Sequence, residues 1–137
     1  MSEAIKKALN NLNNGELGKF IGNNQKIVLR KLLHGEEREG FAENLNGLAE
    51  RIATMPVTYQ QDGKGEDAIV YLHYFRGNMD WHITEKDKDG GVEQAFGLAN
   101  IGYGGELGYI SIEELTENNV EIDLYWKPKT LGECRKD

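Results

Sequence analysis

The sequence has little of what several protein classes require. Its 137 residues include a single cysteine, Cys134, which excludes an internal disulfide and favours a reducing compartment. No apolar run approaches the ~20 residues of a membrane-spanning helix. The first residues, MSEAIKKALNN, lack the apolar core of a secretory signal. These absences predict a cytoplasmic protein that is not embedded in a membrane.

Lysine and arginine are outnumbered by aspartate and glutamate in the second half of the chain only. The net charge is −7; residues 1–55 hold eight Lys or Arg and seven Asp or Glu, whereas residues 56–137 hold eight and sixteen. A negative surface repels phosphate backbones and attracts basic partners, so the composition argues against direct nucleic-acid binding. Lys26, Arg30 and Lys31 form the one basic patch, without the interleaved aromatics that nucleic-acid binding favours. Charge that only keeps the protein in solution is the alternative to partner binding.

Residues 1–55 have the apolar spacing of helices. Ile5, Leu9 and Leu12 mark a first helix, and a second is predicted over 25–34 with Asn24 as its N-cap. A third is predicted over Glu37–Thr54. Its apolar stripe is the cleanest in the chain and consists of Phe41, Leu45, Leu48, Ala49 and Ile52.

The rest of the chain alternates apolar and polar residues, as strands do. Two aromatic-rich runs flank a Gly77-Asn78 turn, and further strands are predicted over 92–99, 107–110 and 120–126. The predicted fold is a single α+β domain in which N-terminal helices pack on a mainly antiparallel sheet of about five strands. It divides into a helical subdomain over 1–55, a sheet subdomain over 56–131 and a frayed tail over 132–137.

The turn fixes how the two aromatic-rich strands pair. A two-residue or four-residue loop places Leu72 opposite Ile83, His73 opposite His82 and Tyr74 opposite Trp81. One face of the hairpin is then apolar and predicted to face the core: Val70, Leu72, Tyr74, Trp81 and Ile83. The other face is mixed: Tyr71, His73, Phe75, Asp80, His82 and Thr84.

Three residues of the mixed face could hold a metal ion. His73 and His82 lie opposite each other and Asp80 lies two residues along, which together offer zinc-type ligands. A metal-dependent enzyme is the function that this cluster would support, but no general base or nucleophile accompanies it. Histidines that face solvent or stack on Tyr71 and Phe75 are the alternative, and the sequence assigns no metal or cofactor.

Two other motifs have ordinary structural interpretations. Glu85–Gly90 resembles the start of a calcium loop, but the twelfth position is Phe96 instead of the required glutamate. An Asp-Gly hairpin turn explains it better. The run GYGGELG, from Gly102 to Gly108, matches neither the dinucleotide fingerprint nor a P-loop, and it predicts a bend between strands.

Four segments of the second half resemble a known family: AIVYLHYFRGNMDWHITEKD, QAFGLANIG, ELGYISIEEL and VEIDLYW. They are similar to the family called domain of unknown function 2958, over roughly residues 57–131, with residues 1–55 outside the resemblance. The chain differs from the family pattern at His82, where an aromatic residue is common. The resemblance implies a setting among mobile-element and phage genes, and it implies no chemistry because the family has no established activity.

Charge and resemblance together lead to a functional hypothesis. The protein would be a small, acidic, non-enzymatic interaction protein from a mobile element or phage, which binds a basic surface on a protein partner. The partner would be a host defence protein of the CRISPR or restriction type, which the protein would inhibit. The carboxylates expected at the contact are Glu85, Asp87, Asp89, Glu93, Glu113, Glu114, Glu117, Glu121 and Asp123. A metal-dependent enzyme that uses His73, Asp80 and His82 is the alternative.

Overall fold

Three helices come first along the chain, and strands with two further short helices follow. Within residues 1–102 and 104–136, which the computed structural model describes, five α-helices form: α1 Glu3–Asn14, α2 Asn23–Leu32, α3 Arg38–Thr54, α4 Ile112–Glu117 and α5 Leu131–Lys136. Seven strands form: β1 Ile69–Val70, β2 Leu72–Arg76, β3 Met79–Asp87, β4 Gly91–Asn100, β5 Gly105–Ile110, β6 Glu121–Ile122 and β7 Lys129–Thr130. None of the described helices is both long and apolar enough to cross a membrane. The α+β class is confirmed.

Five of the strands form one antiparallel sheet, in the order β5-β4-β3-β2-β6, and β1 pairs with β7 separately. The predicted hairpin register is confirmed, with Leu72 opposite Ile83, His73 opposite His82 and Tyr74 opposite Trp81. Gly77 at the turn has φ of 58°, a conformation that glycine adopts without strain. The bend predicted after Gly102 joins β4 to β5, and its Tyr103 lies outside the described residues.

The main core lies between the helices and one face of this sheet. Leu45, Leu48 and Ile52 of α3 belong to the same buried cluster as Leu72 and Tyr74 of β2. Polar contacts join the two layers as well. The buried Tyr74 hydroxyl donates to the Phe20 carbonyl at 2.5 Å, and Lys86 Nζ donates to the Ile52 carbonyl at 2.7 Å.

The alternation predicted for the hairpin breaks at its first strand. Tyr71, predicted on the mixed face, packs against the main core, whereas Val70, predicted to face that core, belongs to a second cluster. The Tyr71 amide bonds to the Ile83 carbonyl while Leu72 is the strand partner of Ile83. Two residues therefore oppose one, and such an extra residue reverses the faces of the residues before it.

The second cluster lies on the opposite face of the sheet. It consists of Ala68, Val70, Leu98 and Leu131, with Trp126 and Cys134 packed against it. Leu98 is the strand partner of His82, so this outer face is also the histidine face. A frayed tail was predicted over 132–137. The structure instead has helix α5 over residues 131–136, and Leu131 at its start is 3% exposed. Asp137 lies outside the described residues.

Two other predictions are corrected. Helix α2 begins at Asn23 with Gly22 at its N-cap, so Asn24 lies inside the helix. The last strand was predicted over 120–126, but β6 covers only Glu121–Ile122. Asp123 ends β6 because its carboxylate accepts a hydrogen bond from the Tyr125 amide at 2.9 Å, which turns the chain.

Candidate functional site

The two hairpin histidines lie side by side on the outer face of the sheet. His73 on β2 pairs directly with His82 on β3, and their rings stack with centroids 4.8 Å apart and planes 17° from parallel. Asp80 enters the same cluster, and one ligand atom from each of the three residues lies within 4.8 Å of the others. The predicted juxtaposition of His73, Asp80 and His82 is thus present.

His73 is held between two carboxylates. Its Nε2 lies 2.5 Å from Asp80 Oδ1, and its Nδ1 lies 3.1 Å from Asp123 Oδ2. A neutral imidazole has only one N–H to donate, so one of the two contacts needs a further proton, on the ring or on a carboxyl group. The two contacts together fix the orientation of the ring.

Asp123 is the site residue whose role the sequence did not reveal. It was predicted to face outward to a partner, but it is half-buried and bonded to His73. Its amide also donates to the His73 carbonyl at 2.8 Å, so backbone and side chain both bind the same residue. The two residues are 50 positions apart in the chain, and no local sequence pattern predicts such a contact.

The segment after Asp123 covers the histidines. The Trp126 ring centroid lies 5.0 Å from that of His73 and 5.5 Å from that of His82. Its Nε1 donates to the Val70 carbonyl at 3.0 Å, which fixes the indole in place. Trp126 also lines a cavity of about 300 Å³, together with His73, Asp80, His82, Asn100, Lys129 and Cys134.

His82 is partly buried within the cluster. Burial is the main cause that lowers its pKa from 6.5 to about 4; repulsion from His73 and Lys129 acts in the same direction, and Asp80 opposes it. Its Nδ1 is buried without a hydrogen-bond partner among the described residues. The imidazole is therefore neutral at neutral pH, and one of its nitrogens is not satisfied by the protein.

The low pKa of His82 predicts a loss of stability in acid. Between pH 6.5 and about 4 the unfolded chain takes up a proton that the folded chain does not, so stability falls as pH falls through this window. We expect His82 to contribute about 1–2 kcal/mol of this loss, because its partial exposure to water screens the full effect. Urea denaturation of metal-free protein at about pH 7 and about pH 4.5 measures it.

The contribution of His82 is isolated by a variant. His82→Gln should have a smaller acid loss than the wild type, whereas His34→Gln, at an exposed histidine, should have the same loss as the wild type. Asp80 and Lys129 face His82 and also carry charge, but both are present in all three proteins. Equal pH dependence in the wild type and His82→Gln would contradict the prediction.

Two of the nine carboxylates predicted to face outward are buried. Glu85 is 3% exposed and accepts hydrogen bonds from the Tyr59 amide and the Thr84 hydroxyl. Asp87 is 9% exposed and accepts from the amides of Asp89 and Gln94. The pairing of β3 with β4 is irregular between Ile83 and Asp87, and these irregularities turn the two carboxylates inward.

Apart from the half-buried Asp123, the remaining six of the nine carboxylates are exposed: Asp89, Glu93, Glu113, Glu114, Glu117 and Glu121. No lysine or arginine among the described residues forms an ion pair with any of them. Four of the six lie within nine residues, on α4 and β6. We call Glu113, Glu114, Glu117 and Glu121 the acidic segment.

The basic patch on α2 is partly engaged within the protein. Arg30 Nε donates to Asn13 Oδ1 at 2.9 Å, and Lys26 is half-buried. Burial, followed by repulsion from Arg30, lowers the pKa of Lys26. Lys31 is the fully exposed member of the three. The patch therefore exposes its charged groups to a partner less than the sequence suggests.

Comparisons with known proteins place the chain in a family without giving it an activity. No curated protein and no solved structure was found to match. A family model described as protein of unknown function (DUF2958) matches residues 32–130, well over half of the chain. The match begins at Leu32, so the expectation that all of residues 1–55 lie outside the resemblance is wrong for α3. The protein belongs to the DUF2958 family.

Proposed function

We propose that the protein binds a basic surface of another protein through its acidic segment. The observation that carries the proposal is that α4 is anchored on one side and acidic on the other. Ile112 and Leu115 are buried in the main core, while Glu113, Glu114 and Glu117 are exposed. A helix fixed in this way presents its carboxylates from a defined backbone, so the protein itself loses little backbone freedom when it binds a partner.

The local structure supports this presentation. The Ser111 hydroxyl accepts a hydrogen bond from the Glu114 amide at 3.1 Å and so caps the start of the short helix. Just after α4, the Asn118 carbonyl accepts a hydrogen bond from Arg76 Nη1 at 2.6 Å. This bond ties the end of the helix to β2. The backbone under the acidic segment is therefore held at both ends.

The partner that fits this chemistry is a protein with a groove that binds nucleic acid. Such grooves are lined with lysine and arginine, and carboxylates on a rigid helix can take the place of phosphates there. The mobile-element setting suggested by the family resemblance makes a host defence protein, of the CRISPR or restriction type, the first partner to test. Inhibition would then follow from occupation of the groove.

Charge removal tests the proposal. The test variant has Glu113, Glu114 and Glu117 changed to Gln. In a pull-down from an extract of the source organism, it should capture less partner than the wild type, by a factor of at least ~10. Higher salt should weaken wild-type binding steeply. A matched control changes Glu36, Glu43 and Glu50 to Gln, which removes three exposed carboxylates from the helical half. The control should bind like the wild type.

Two results would count against the acidic segment. Binding that does not respond to salt would show that the contact is not electrostatic. An equal loss in the control would show that only total charge matters. Circular dichroism of all variants shows whether the fold is kept.

We do not propose catalysis at the histidine cluster. Both carboxylates beside it, Asp80 and Asp123, are bonded to His73. Among the described residues, the other groups around the cavity are Asn100, Trp126, Lys129 and Cys134, and these do not include a further carboxylate to act as a general base.

A further inference from the structure

We propose that His73, Asp80 and His82 bind one divalent transition-metal ion, with zinc as the first candidate. One nitrogen or oxygen atom from each residue lies within 4.8 Å of the others. Tetrahedral zinc holds its ligand atoms ~3.3 Å apart, as follows from bonds of ~2.0–2.2 Å. Small side-chain rotations bring the three atoms to this spacing. The site is independent of the acidic segment and shares no residue with it.

The shortest contact in the cluster is where the ion would sit. His73 Nε2 and Asp80 Oδ1 are 2.5 Å apart, and a proton must lie between them because two lone pairs would repel. A metal ion takes the place of this proton and draws both lone pairs to itself. The atoms move apart by somewhat less than ~1 Å to reach the spacing that zinc needs.

Asp123 supplies the outer support that metal-binding histidines generally have. Its Oδ2 accepts from His73 Nδ1 at 3.1 Å, which fixes the tautomer in which Nε2 carries the lone pair. Asp123 is itself held by the Tyr125 amide and by its own bond to the His73 carbonyl. The Asp123 carboxylate thus holds the His73 ring, and the His73 ring would in turn bind the ion.

His82 is available to an ion because one nitrogen of its ring has no hydrogen-bond partner among the described residues. Its Nδ1 is the buried side-chain nitrogen or oxygen atom without a hydrogen-bond partner in the described part of the chain. Leaving such an atom unpaired costs free energy, and native proteins seldom do so without a reason. An imidazole free of internal hydrogen bonds can rotate toward the ion without breaking one.

Charge and ligand type both favour a transition metal. Asp80 and Asp123 bring two negative charges, and Lys129, whose Nζ lies 5.2 Å from the centre of the Trp126 ring, brings one positive charge to the cavity wall. Two imidazoles and one carboxylate suit zinc, cobalt, nickel or copper, whereas calcium and magnesium prefer oxygen ligands alone. Three protein ligands leave a fourth position, which opens to the cavity.

Metal titration of untagged, EDTA-treated full-length protein tests the site. We expect one zinc ion per chain by calorimetry, a higher Tm with zinc, and visible Co²⁺ absorption bands of tetrahedral type. The double variant with Asp80→Asn and His82→Gln should lose at least ~100-fold in affinity, and Asp123→Asn ~10–100-fold. Matched controls are His34→Gln and Asp89→Asn, at an exposed histidine and an exposed aspartate.

Clear results would overturn the proposal. Absence of zinc binding by folded wild-type protein would do so, and so would zinc affinity in the double variant equal to that of the wild type. Zinc affinity lost equally in the controls would show that surface groups bind the ion. Circular dichroism of the metal-free variants confirms that a loss of binding is not a loss of fold. Partner capture in the presence of EDTA is a separate readout of the acidic segment.

Discussion

Replacing Gly97 by alanine is expected to destabilise the protein by about 3 kcal/mol or more. A Cβ atom at this position would lie 2.0 Å from the His82 carbonyl oxygen, 2.9 Å from the His82 carbonyl carbon and 3.0 Å from Ile83 Cα. All three are backbone atoms of β3, which cannot rotate away as a side chain can. The strands β3 and β4 would have to separate beneath the histidine pair, and urea denaturation measures the cost.

The neighbouring strand offers a matched control. Gly108 on β5 is the direct strand partner of Gly97, and a Cβ there meets nothing within 4 Å. Gly108→Ala should therefore be neutral or slightly stabilising, because alanine loses less backbone freedom on folding than glycine does. Equal effects of the two substitutions would mean that the close approach at Gly97 is not what matters.

Removing the side chain of Gln61 is the second large effect that we expect. Gln61 is 5% exposed. Its Nε2 donates to the carbonyls of Ile69 at 2.9 Å and Thr84 at 2.8 Å, and its Oε1 accepts from the Ile69 amide at 2.8 Å. Gln61→Ala leaves these backbone groups without their partner and should cost about 3 kcal/mol, measured by urea denaturation.

Two further variants identify the cause. Gln61→Met keeps most of the side-chain volume without the hydrogen bonds, so a similar cost would assign the effect to lost hydrogen bonds. Gln94→Ala, at an exposed glutamine on β4, should change stability by no more than about 0.5 kcal/mol. A loss of under ~1 kcal/mol in Gln61→Ala would show that water replaces the amide.

Local pattern was enough to predict the hairpin. Turn length, alternation and β-branched or aromatic content act over a few residues, and together they determine the pairing of His73 with His82. The helical stripe of α3 is similarly local, and it was predicted. These features bring two of the three proposed metal ligands together and place the third beside them.

Contacts between distant segments could not be predicted in this way. Gln61 lies in a stretch of polar and glycine residues that is typical of an exposed loop, yet its amide is buried against β1 and β3. Glu85 and Asp87 look like surface charges because alternation cannot show where a strand pairing becomes irregular. Asp123 and Trp126 reach the cluster from a segment predicted as a continuous strand, and Cys134 reaches it from the predicted frayed tail.

The two edges of the five-stranded sheet differ in what they offer to another polypeptide. β6 is two residues long, too short to support an added strand, whereas β5 has six residues. Leu107 and Tyr109 on β5 are 48% and 55% exposed, and Glu106 beside them carries the kind of charge that discourages edge-to-edge aggregation. A chain that joined this sheet would enter beside β5, and both β5 and β4 would separate it from the histidines. Lateral association would then leave the cavity beside the histidines open.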